Sequence, residues 1–537
     1  MRMAYIELKQ ISFTYPDAPE PALSSVSLNM EKGEFVVLFG PSGSGKSTLL
    51  RLLKEEIRPH GSFSGQILIR GADSSSIGFV FQDPENQVVA DDPLHEMVFG
   101  LENQGLPASE MRNRVAEIVS FFGAEPILYK KMHELSGGKK QQMNLASVLL
   151  MQPDILLLDE PTSQLDPVSA RELLDMLKRL NEEFGMTIIL AEHRLDDCIM
   201  LADRMVMMDK GKVTYDSNPR HVMERLWEEG ERAFVPSIPA LFLNVAGSTG
   251  RAYQEGGSAG DFPLPLSVKE GRTFLHVLEP RNSEGRKQTK ASGQNHNPTL
   301  LKAKNVGFRY GKDSSSVLDG LNFELKKGEF YSLLGGNGSG KSTLLKLLCG
   351  VIKPVSGKLE LDGIPLKKIK EMDMAQRIGY LPQNPKLFFL HDSLGEEISA
   401  VCRQWGTPSE DADILIEKFG LSHLLEAHPY DLSGGELQKA AFVCLLLRKP
   451  DVLLLDEPTK GLDPLSKASL AMVLQEQKDN GAAILISTHD IEFAAQHATR
   501  CGMLFQGEIT SEAGPEDFFS GNFFYTTMIQ RMFRNYT

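Results

Sequence analysis

Residues 40–48 read Gly-Pro-Ser-Gly-Ser-Gly-Lys-Ser-Thr and match G-x-x-x-x-G-K-[ST], the pattern of a phosphate-binding loop. Its glycines let consecutive backbone N–H groups turn toward an anion, and Lys46 adds a positive charge that can reach the β and γ phosphates. Ser47 places a hydroxyl where Mg²⁺ would lie. An apolar run at 34–39 precedes the loop, so we predict a strand, the loop, and then a helix whose N-terminus faces the anion. An ordinary Gly/Ser surface loop is the weaker alternative.

The same loop returns 295 residues later, at 335–343. Other short motifs return in the same order at offsets of 295–297: Phe-Thr-Tyr (13–15) as Phe-Arg-Tyr (308–310), Leu-Ser-Gly-Gly (135–138 and 432–435), Leu-Leu-Leu-Asp-Glu-Pro-Thr (156–162 and 453–459), and a histidine (193 and 489). This repetition predicts tandem domains of the same fold. The loop residues expected to contact a nucleotide are Gly40, Pro41, Ser42, Gly43, Ser44, Gly45, Lys46, Ser47, Thr48, Gly335, Gly336, Asn337, Gly338, Ser339, Gly340, Lys341, Ser342 and Thr343.

The repeat divides the chain into three predicted parts: a first domain over 3–235, an accessory segment with a flexible linker over 236–297, and a second domain over 298–537. The first domain is expected to contain helices over 109–122 and 170–184. Residues 281–297 are polar and partly basic, which favours a solvated linker over a contact with lipid or RNA. The more apolar stretch 263–278 is interpreted as a small ordered appendage.

Composition narrows the class of protein. The 537 residues carry a formal net charge of −14, which argues against general nucleic-acid binding. No apolar run approaches the ~20 residues that cross a bilayer, and the N-terminal residues lack the apolar core of a signal peptide. The five cysteines are scattered without C-x-x-C spacing, so neither a disulfide framework nor a zinc site is expected. These features predict a cytoplasmic protein.

An Asp-Glu pair follows an apolar run in each copy, at 155–158 and 452–455. We interpret both runs as buried parallel strands, whose carboxyl ends are where ligands bind in open α/β sheets. Asp159 is expected to hold Mg²⁺, and Glu160 to orient the water that attacks the γ-phosphate. A helix start would be the usual meaning of such a pair without the phosphate loop upstream. The corresponding residues of the second copy are Asp456 and Glu457.

Two further motifs in each copy point to phosphate. Predicted strands at 187–190 and 483–487 deliver His193 and His489 to the same sheet edge, where they are expected to contact the γ-phosphate and position the water. Alone, either histidine would be structural. The Ser-Gly-Gly motifs begin helices whose N-termini can donate to phosphate, and this second donor makes sense if it serves the nucleotide held by the other domain. These residues are Ser136, Gly137, Gly138, Ser433, Gly434 and Gly435. Tyr15 and Tyr310 can stack on adenine or be ordinary strand aromatics.

Together these motifs resemble the ATP-binding subunit of an ATP-binding cassette (ABC) transporter with two fused cassettes. The resemblance implies an α/β fold of two tandem P-loop NTPase domains, each with a mixed sheet, flanking helices and a helical signature subdomain. It implies ATP hydrolysis with ATP and Mg²⁺ as cofactors. It also implies integral membrane subunits as partners and a peripheral position on the cytoplasmic face of the cell membrane.

In that family two cassettes close head to tail on two ATP molecules. The resemblance implies one site from Lys46, Asp159, Glu160 and His193 with Ser433 and Gly435, and another from Lys341, Asp456, Glu457 and His489 with Ser136 and Gly138. Gln82 and Gln383 match the glutamine that links Mg²⁺ and water to the membrane partner, and Asp166 and Asp463 match the loop between cassettes. The implied metal ligands are Ser47, Gln82, Asp159, Ser342, Gln383 and Asp456.

The first copy also resembles a subfamily. Its residues 81–87 (Phe-Gln-Asp-Pro-Glu-Asn-Gln) and 98–102 resemble the energy-coupling-factor importers, which take up vitamins and cobalt or nickel through a transmembrane coupling protein and a substrate-binding component. The second copy, at 382–385, lacks the later Asn-Gln. Lys139 stands where the family usually has Gln or Glu after the signature, which predicts slower turnover at the site that uses Ser136. A fused sugar-importer ATPase and a tandem-cassette factor acting on ribosomes are the alternatives.

Overall fold

A computed structural model of the protein describes residues 4–16, 18–71, 76–249, 263–275, 297–312, 314–523 and 525–534. The chain divides into two compact units, Met1–Gly271 and Arg272–Thr537. The predicted linker at 281–296 and the Gly/Ser-rich residues 250–260 lie outside the described residues.

The first unit alternates strands and helices. Its strands are β1 (Ile6–Thr14), β2 (Leu23–Met30), β3 (Phe35–Phe39), β4 (Ser62–Ile69), β5 (Ile77–Val80), β6 (Ile155–Asp159), β7 (Thr187–Ala191), β8 (Arg204–Asp209) and β9 (Lys212–Ser217). Its helices are α1 (Lys46–Leu52), α2 (Pro93–Asn103), α3 (Ala108–Phe122), α4 (Gly137–Leu150), α5 (Pro167–Phe184), α6 (Leu195–Cys198), α7 (Pro219–Glu229) and α8 (Ser237–Thr249). Helix α9 (Val268–Thr273) follows where the first unit ends and the second begins.

The second unit repeats this order. Its strands are β10 (Thr299–Phe308), β11 (Leu318–Lys326), β12 (Phe330–Leu334), β13 (Ser356–Leu361), β14 (Ile364–Pro365), β15 (Ile378–Leu381), β16 (Val452–Asp456), β17 (Ala483–Ser487), β18 (Arg500–Phe505) and β19 (Glu508–Ala513). Its helices are α10 (Lys341–Leu348), α11 (Glu371–Arg377), α12 (Leu394–Trp405), α13 (Ser409–Phe419), α14 (Gly434–Leu446), α15 (Pro464–Asp479), α16 (Ile491–His497), α17 (Pro515–Gly521) and α18 (Met528–Phe533).

A mixed six-stranded sheet forms the centre of each unit, in the order β5-β6-β7-β3-β8-β9 and β15-β16-β17-β12-β18-β19. Strand pairs are parallel except the last, β8–β9 or β18–β19, which is antiparallel. Every residue of β3, β6 and β7 is buried, as expected for strands covered on both faces. The predicted parallel strands are therefore confirmed, and their carboxyl ends lie on one edge of the sheet.

Two smaller layers complete each unit. An antiparallel sheet, β2-β1-β4 or β11-β10-β13-β14, carries alternating buried residues that join the core under the central sheet. The second layer is helical: α4 packs against α2 and α3, and α14 packs against α12 and α13. The predicted helices over 109–122 and 170–184 are α3 and α5. The fold class is the predicted one, two α/β domains each with a helical subdomain.

The predicted accessory segment contains a helix that the sequence analysis did not identify. Helix α8 packs on α7, and Ile238 and Phe242, one turn apart, are buried. Residues 263–275 of the interpreted appendage include α9, and the Arg220 guanidinium holds this stretch by donating to the Leu264 carbonyl at 3.1 Å and pairing with Glu270 at 2.9 Å. Residues 276–278 lie outside the described part of the chain.

Candidate functional site

Each phosphate loop lies where the sequence predicts it, between the central strand and the helix that follows. The Lys46 ammonium is buried and donates to the carbonyls of Gly40 at 3.0 Å and Pro41 at 2.9 Å. Lys341 donates in the same way to the carbonyls of Gly335 at 2.8 Å and Gly336 at 3.1 Å. Each ammonium therefore lies over its own loop, where an anionic phosphate would be a stronger acceptor than these carbonyl oxygens.

The first glycine of each loop is required by close backbone packing. Gly40 has φ 138°, and a Cβ there would lie 2.0 Å from the Met208 carbonyl oxygen. Gly335 has φ 156°, and its Cβ would lie 2.5 Å from the Leu504 carbonyl oxygen. Met208 and Leu504 belong to β8 and β18, so each loop is pressed against the neighbouring strand of the central sheet. This contact fixes the loop at the carboxyl edge of the strands.

Asp159 ends β6 as a buried carboxylate beside the phosphate loop. The Ser47 hydroxyl donates to its Oδ1 at 2.8 Å. Burial, followed by repulsion from Glu160, raises the pKa of Asp159 to about 6, while Ser47 and nearby Lys46 act in the opposite direction. A buried carboxylate that is costly to ionise, next to a hydroxyl, fits a hard divalent cation such as Mg²⁺.

The corresponding aspartate of the second copy has a different hydroxyl partner. Asp456 ends β16 and accepts a hydrogen bond at 2.5 Å from Ser487, the last residue of β17. The first copy has Ala191 at that strand end. Ser487 was not among the predicted site residues, although a hydroxyl at the end of an otherwise apolar strand is a signal that could have identified it.

In the first copy, two other predicted site side chains contact Glu160. His193 Nε2 lies 2.7 Å from Glu160 Oε1, and Gln82 Nε2 donates to Glu160 Oε2 at 2.7 Å. Glu160 has φ 44°, a left-handed conformation that is strained for a residue with a side chain. The structure thus brings Glu160 together with Gln82 and His193, which lie 78 and 33 positions away in the sequence.

In the second copy the histidine contacts more of the loop. His489 Nε2 lies 3.2 Å from Glu457 Oε1, 3.1 Å from Asn337 Oδ1 and 3.3 Å from Lys341 Nζ. Glu457 has φ 54°, matching the strained conformation of Glu160. Its buried Oε1 has no hydrogen-bond partner among the described residues, although His489 Nε2 lies 3.2 Å away. Gln383 is exposed instead of bound to this carboxylate.

Burial raises the pKa of the Glu457 carboxyl, opposed mainly by the nearby Lys341 ammonium. A buried carboxylate oxygen that lacks a donor is a place where a water molecule can donate a proton into a hydrogen bond. This geometry suits a general base, because the acceptor atom is fixed before the water arrives.

The two signature serines begin helices of 14 and 13 residues, α4 and α14, and both are exposed. Ser136 accepts from the backbone N of Lys139 at 3.4 Å, and Ser433 accepts from that of Glu436 at 3.4 Å. Only in the second copy does the capping box close, because Glu436 Oε2 accepts from Ser433 N at 2.9 Å and from Ser433 Oγ at 2.6 Å. Lys139 cannot accept, and its ammonium donates to Gln142 Oε1 at 2.8 Å. The sequence difference after the signature is thus also a difference in how the serine hydroxyl is held.

The two tyrosines occupy equivalent places beside their loops. The Tyr15 hydroxyl lies 3.1 Å from Thr48 Oγ1, and that of Tyr310 lies 3.0 Å from Thr343 Oγ1. Each ring meets a phenylalanine edge to face, at 5.0 Å between centroids in both copies. Stacking on adenine stays a prediction, and the tie to the loop threonine is a contact that sequence spacing did not reveal.

The residue before each histidine was missed by the sequence analysis. Glu192 is buried and accepts from the backbone N of Thr162 at 3.1 Å and from that of His193 at 3.1 Å, and it also accepts from the Thr162 hydroxyl at 2.5 Å. Burial raises the pKa of this carboxyl. The available signal was a charged residue directly after the apolar run of β7.

Asp159→Asn is expected to stabilise the nucleotide-free chain above about pH 6, because the folded state otherwise holds a buried charge. The folded pKa of about 6 exceeds the ordinary value of 3.8, so the destabilisation grows as pH rises through 3.8 and is complete above 6. Two pKa units correspond to roughly 3 kcal/mol as an upper value. The stability difference between Asp159→Asn and the unaltered chain is measured by thermal unfolding at pH 7.5 and pH 4 without Mg²⁺.

Asp154→Asn is the matched control, since Asp154 precedes the same strand but its side chain is 45 % exposed. A lower unfolding temperature for Asp159→Asn than for the unaltered chain at pH 7.5 would contradict the expectation.

The comparisons with known proteins agree with this geometry. The model of the ABC transporter family matches residues 23–163 and 318–460. A protein of Bacillus cereus named as an ABC transporter ATP-binding protein is 42% identical over 99% of this chain and 95% of its own length. The Bacillus subtilis protein YkoD, named as an HMP/thiamine import ATP-binding protein, is 32% identical over 96% of this chain and 92% of its own length.

Among solved structures, cbiO1 from Clostridium perfringens, described as part of an ABC transporter complex, is 32% identical, with a TM-score of 0.38 over 43% of this chain and 98% of that one. The family match falls on both copies and includes both phosphate loops and both Asp-Glu pairs. With the family model matching twice and a full-length relative at 42% identity, the chain belongs to the ABC transporter family, as an ATP-hydrolysing ATP-binding protein with two cassettes.

Proposed function

We propose that ATP hydrolysis by this chain powers the import of a micronutrient, a vitamin, a vitamin precursor or a metal ion, through separate membrane subunits of the energy-coupling-factor type. The observation that best supports ATP hydrolysis at this site is that His193 and Gln82 both contact the Glu160 carboxylate beside a phosphate loop. The relative named for HMP/thiamine import, similar over 96% of this chain, supports the substrate class.

The nucleotide would be held by the loop and its lysine. On binding ATP, Lys46 Nζ exchanges the Gly40 and Pro41 carbonyls for phosphate oxygens. Ser47 and Asp159, already 2.8 Å apart, would hold Mg²⁺ together with Gln82. The metal would neutralise charge on the β and γ phosphates. The corresponding set in the second copy is Lys341, Ser342, Asp456 and Gln383.

The proton of the attacking water would pass to the catalytic carboxylate. Glu160 would accept it, while His193, whose Nε2 lies 2.7 Å from Oε1, would fix the carboxylate and contact the γ-phosphate. In the second copy Glu457 and His489 take these roles, and the contacts of His489 with Asn337 and Lys341 tie the histidine to the phosphate loop. We further propose that each phosphate loop uses the signature serine of the other copy, Ser433 for the first and Ser136 for the second.

A membrane partner would bind next to the two glutamines. In the described part of the chain, no helix is long and apolar enough to span a bilayer. Large apolar side chains are instead exposed shortly after each glutamine: Val89 at 66%, and Leu387 and Leu390 at 76% and 88%. Exposed apolar residues beside a catalytic loop suit a protein interface. Docking there would place the chain on the cytoplasmic face of the membrane.

Affinity purification of the chain from detergent-solubilised cells is expected to recover integral membrane proteins. Leu390→Asp should abolish the recovery, whereas Met472→Asp should not, because Met472 is similarly apolar and exposed (63%) but lies on α15. Mass spectrometry of the recovered proteins is the measurement.

Two results would overturn the proposal in favour of a named alternative. Recovery of ribosomal proteins and RNA without membrane proteins would indicate a ribosome-associated factor. Recovery of membrane subunits that transport sugar in reconstituted vesicles would indicate a fused sugar-importer ATPase, a reading that the intact second loop at 335–343 disfavours.

A further inference from the structure

The buried carboxylate of Glu192 links two parts of the first catalytic centre. It is 2% exposed and lies outside regular secondary structure, between the end of β7 and His193. One oxygen, Oε1, accepts from the backbone and hydroxyl of Thr162, two residues after Glu160, and the other, Oε2, accepts from the backbone of His193. Burying a carboxylate is costly unless donors surround it, and here three donors converge.

The second copy has a neutral, shorter residue at this place. Thr488 Oγ1 lies 3.3 Å from Thr459 Oγ1 and accepts from the backbone of Asp490 at 3.0 Å. It does not take the backbone N–H of His489, which donates instead to the catalytic carboxylate, Glu457 Oε2, at 3.2 Å. The same N–H group therefore has different acceptors in the two copies.

This exchange decides which partner the catalytic carboxylate has. In the first copy Glu192 takes the His193 N–H, and Glu160 Oε2 accepts from Gln82 at 2.7 Å. In the second copy Glu457 Oε2 is bound by the histidine backbone, and Gln383 is exposed. Only the first catalytic carboxylate is thus joined directly to the glutamine of its loop.

We propose that Glu192 is a positioning residue that, by taking the His193 N–H, leaves the Glu160 carboxylate to Gln82 and so couples hydrolysis in the first copy to that glutamine. The inference rests on the proposed catalytic roles of Glu160 and Gln82. It assigns no contact between Glu192 and the nucleotide, since Glu192 acts through its neighbours. It also predicts that binding of a partner at the glutamine loop changes the hydrolysis rate of the first copy more than that of the second.

The test uses the full chain with Glu457→Gln, so that hydrolysis reports the first copy. Adding Glu192→Thr, the residue of the second copy, is expected to lower kcat about tenfold and leave the KM for ATP within about twofold, because orientation is lost and binding is not. Ala191→Ser with Glu192→Thr is a second variant, expected to lower kcat to the same extent, because it gives the end of β7 the same residue types as Ser487 and Thr488, which stand at the end of β17 in the second copy.

A double-mutant cycle with Gln82→Ala separates positioning from general structural damage. Positioning predicts that Gln82→Ala costs about tenfold in kcat when Glu192 is present and less than about twofold when it is threonine. Thr488→Val in a chain carrying Glu160→Gln is the matched control, expected to stay within about twofold because Thr488 does not hold the histidine backbone.

One outcome would refute the role of Glu192 alone, and another would refute the proposed catalytic residues. If Glu192→Thr leaves kcat unchanged, or if its effect and that of Gln82→Ala simply multiply, the inference is wrong while the proposed catalysis stands. If the chain carrying Glu457→Gln keeps full hydrolysis when Glu160→Gln is added, the catalytic assignment itself fails.

Discussion

Replacing Lys46 with alanine is expected to weaken ATP binding by the first copy about tenfold to a hundredfold, since a charge-assisted hydrogen bond to phosphate is lost. The Lys46 ammonium is buried over its loop and donates to the Gly40 and Pro41 carbonyls, so it is already held at the phosphate position. Hydrolysis by the first copy should fall with binding. Equilibrium binding of labelled ATP and steady-state hydrolysis measure both effects.

Lys341→Ala is expected to do the same in the second copy, because Lys341 contacts the Gly335 and Gly336 carbonyls in the same way. Lys32→Ala serves as the control, since the Lys32 side chain is 64% exposed and pairs with Asp154, away from the loop. Unchanged ATP affinity and activity in Lys46→Ala would refute the assignment of residues 40–48 as the phosphate loop.

Glu160→Gln is expected to reduce steady-state hydrolysis more than Glu457→Gln, by about threefold against about 1.5-fold, since loss of a general base typically costs a hundredfold or more at its own site and the other site continues to turn over. Two differences favour the first copy: its carboxylate is bound by Gln82, and Glu436 closes the capping box of the signature proposed to serve it. Lys139 leaves the other signature without that bond.

The chain with both substitutions should lose hydrolysis about a hundredfold while still binding ATP, which shows that the losses are catalytic. Single-turnover hydrolysis with labelled ATP separates chemistry from product release. Equal losses from the two single substitutions would argue against unequal sites, and retained hydrolysis in the double variant would exclude these carboxylates as the bases.

The fold and the residue types of the site follow from local sequence. The run at 155–158 is apolar throughout, which identifies a strand buried on both faces, and the structure confirms it in β6 beside β7. The phosphate loops could be located because their glycine spacing meets a steric need, as at Gly40. The same motifs recur 295–297 residues later, so the second domain follows from the repeat.

The contacts that distinguish the two copies could not be predicted in this way. The bond from Gln82 to Glu160 and the one from Thr162 to Glu192 each depend on side-chain directions set by packing, and motif spacing does not encode them. Helix α8 was missed for a different reason. Its buried residues Ile238 and Phe242 lie between the two repeated copies, in the stretch 236–297 that was interpreted as an accessory segment and linker.

Uptake of labelled micronutrients by cells tests the proposed function most directly. A panel of B vitamins, thiamine precursors, cobalt and nickel would be offered to cells that lack this chain and carry either the unaltered protein or the chain with Glu160→Gln and Glu457→Gln. The account predicts that accumulation of one member of the panel is restored only by the unaltered protein. Equal accumulation of every member in both strains would contradict it.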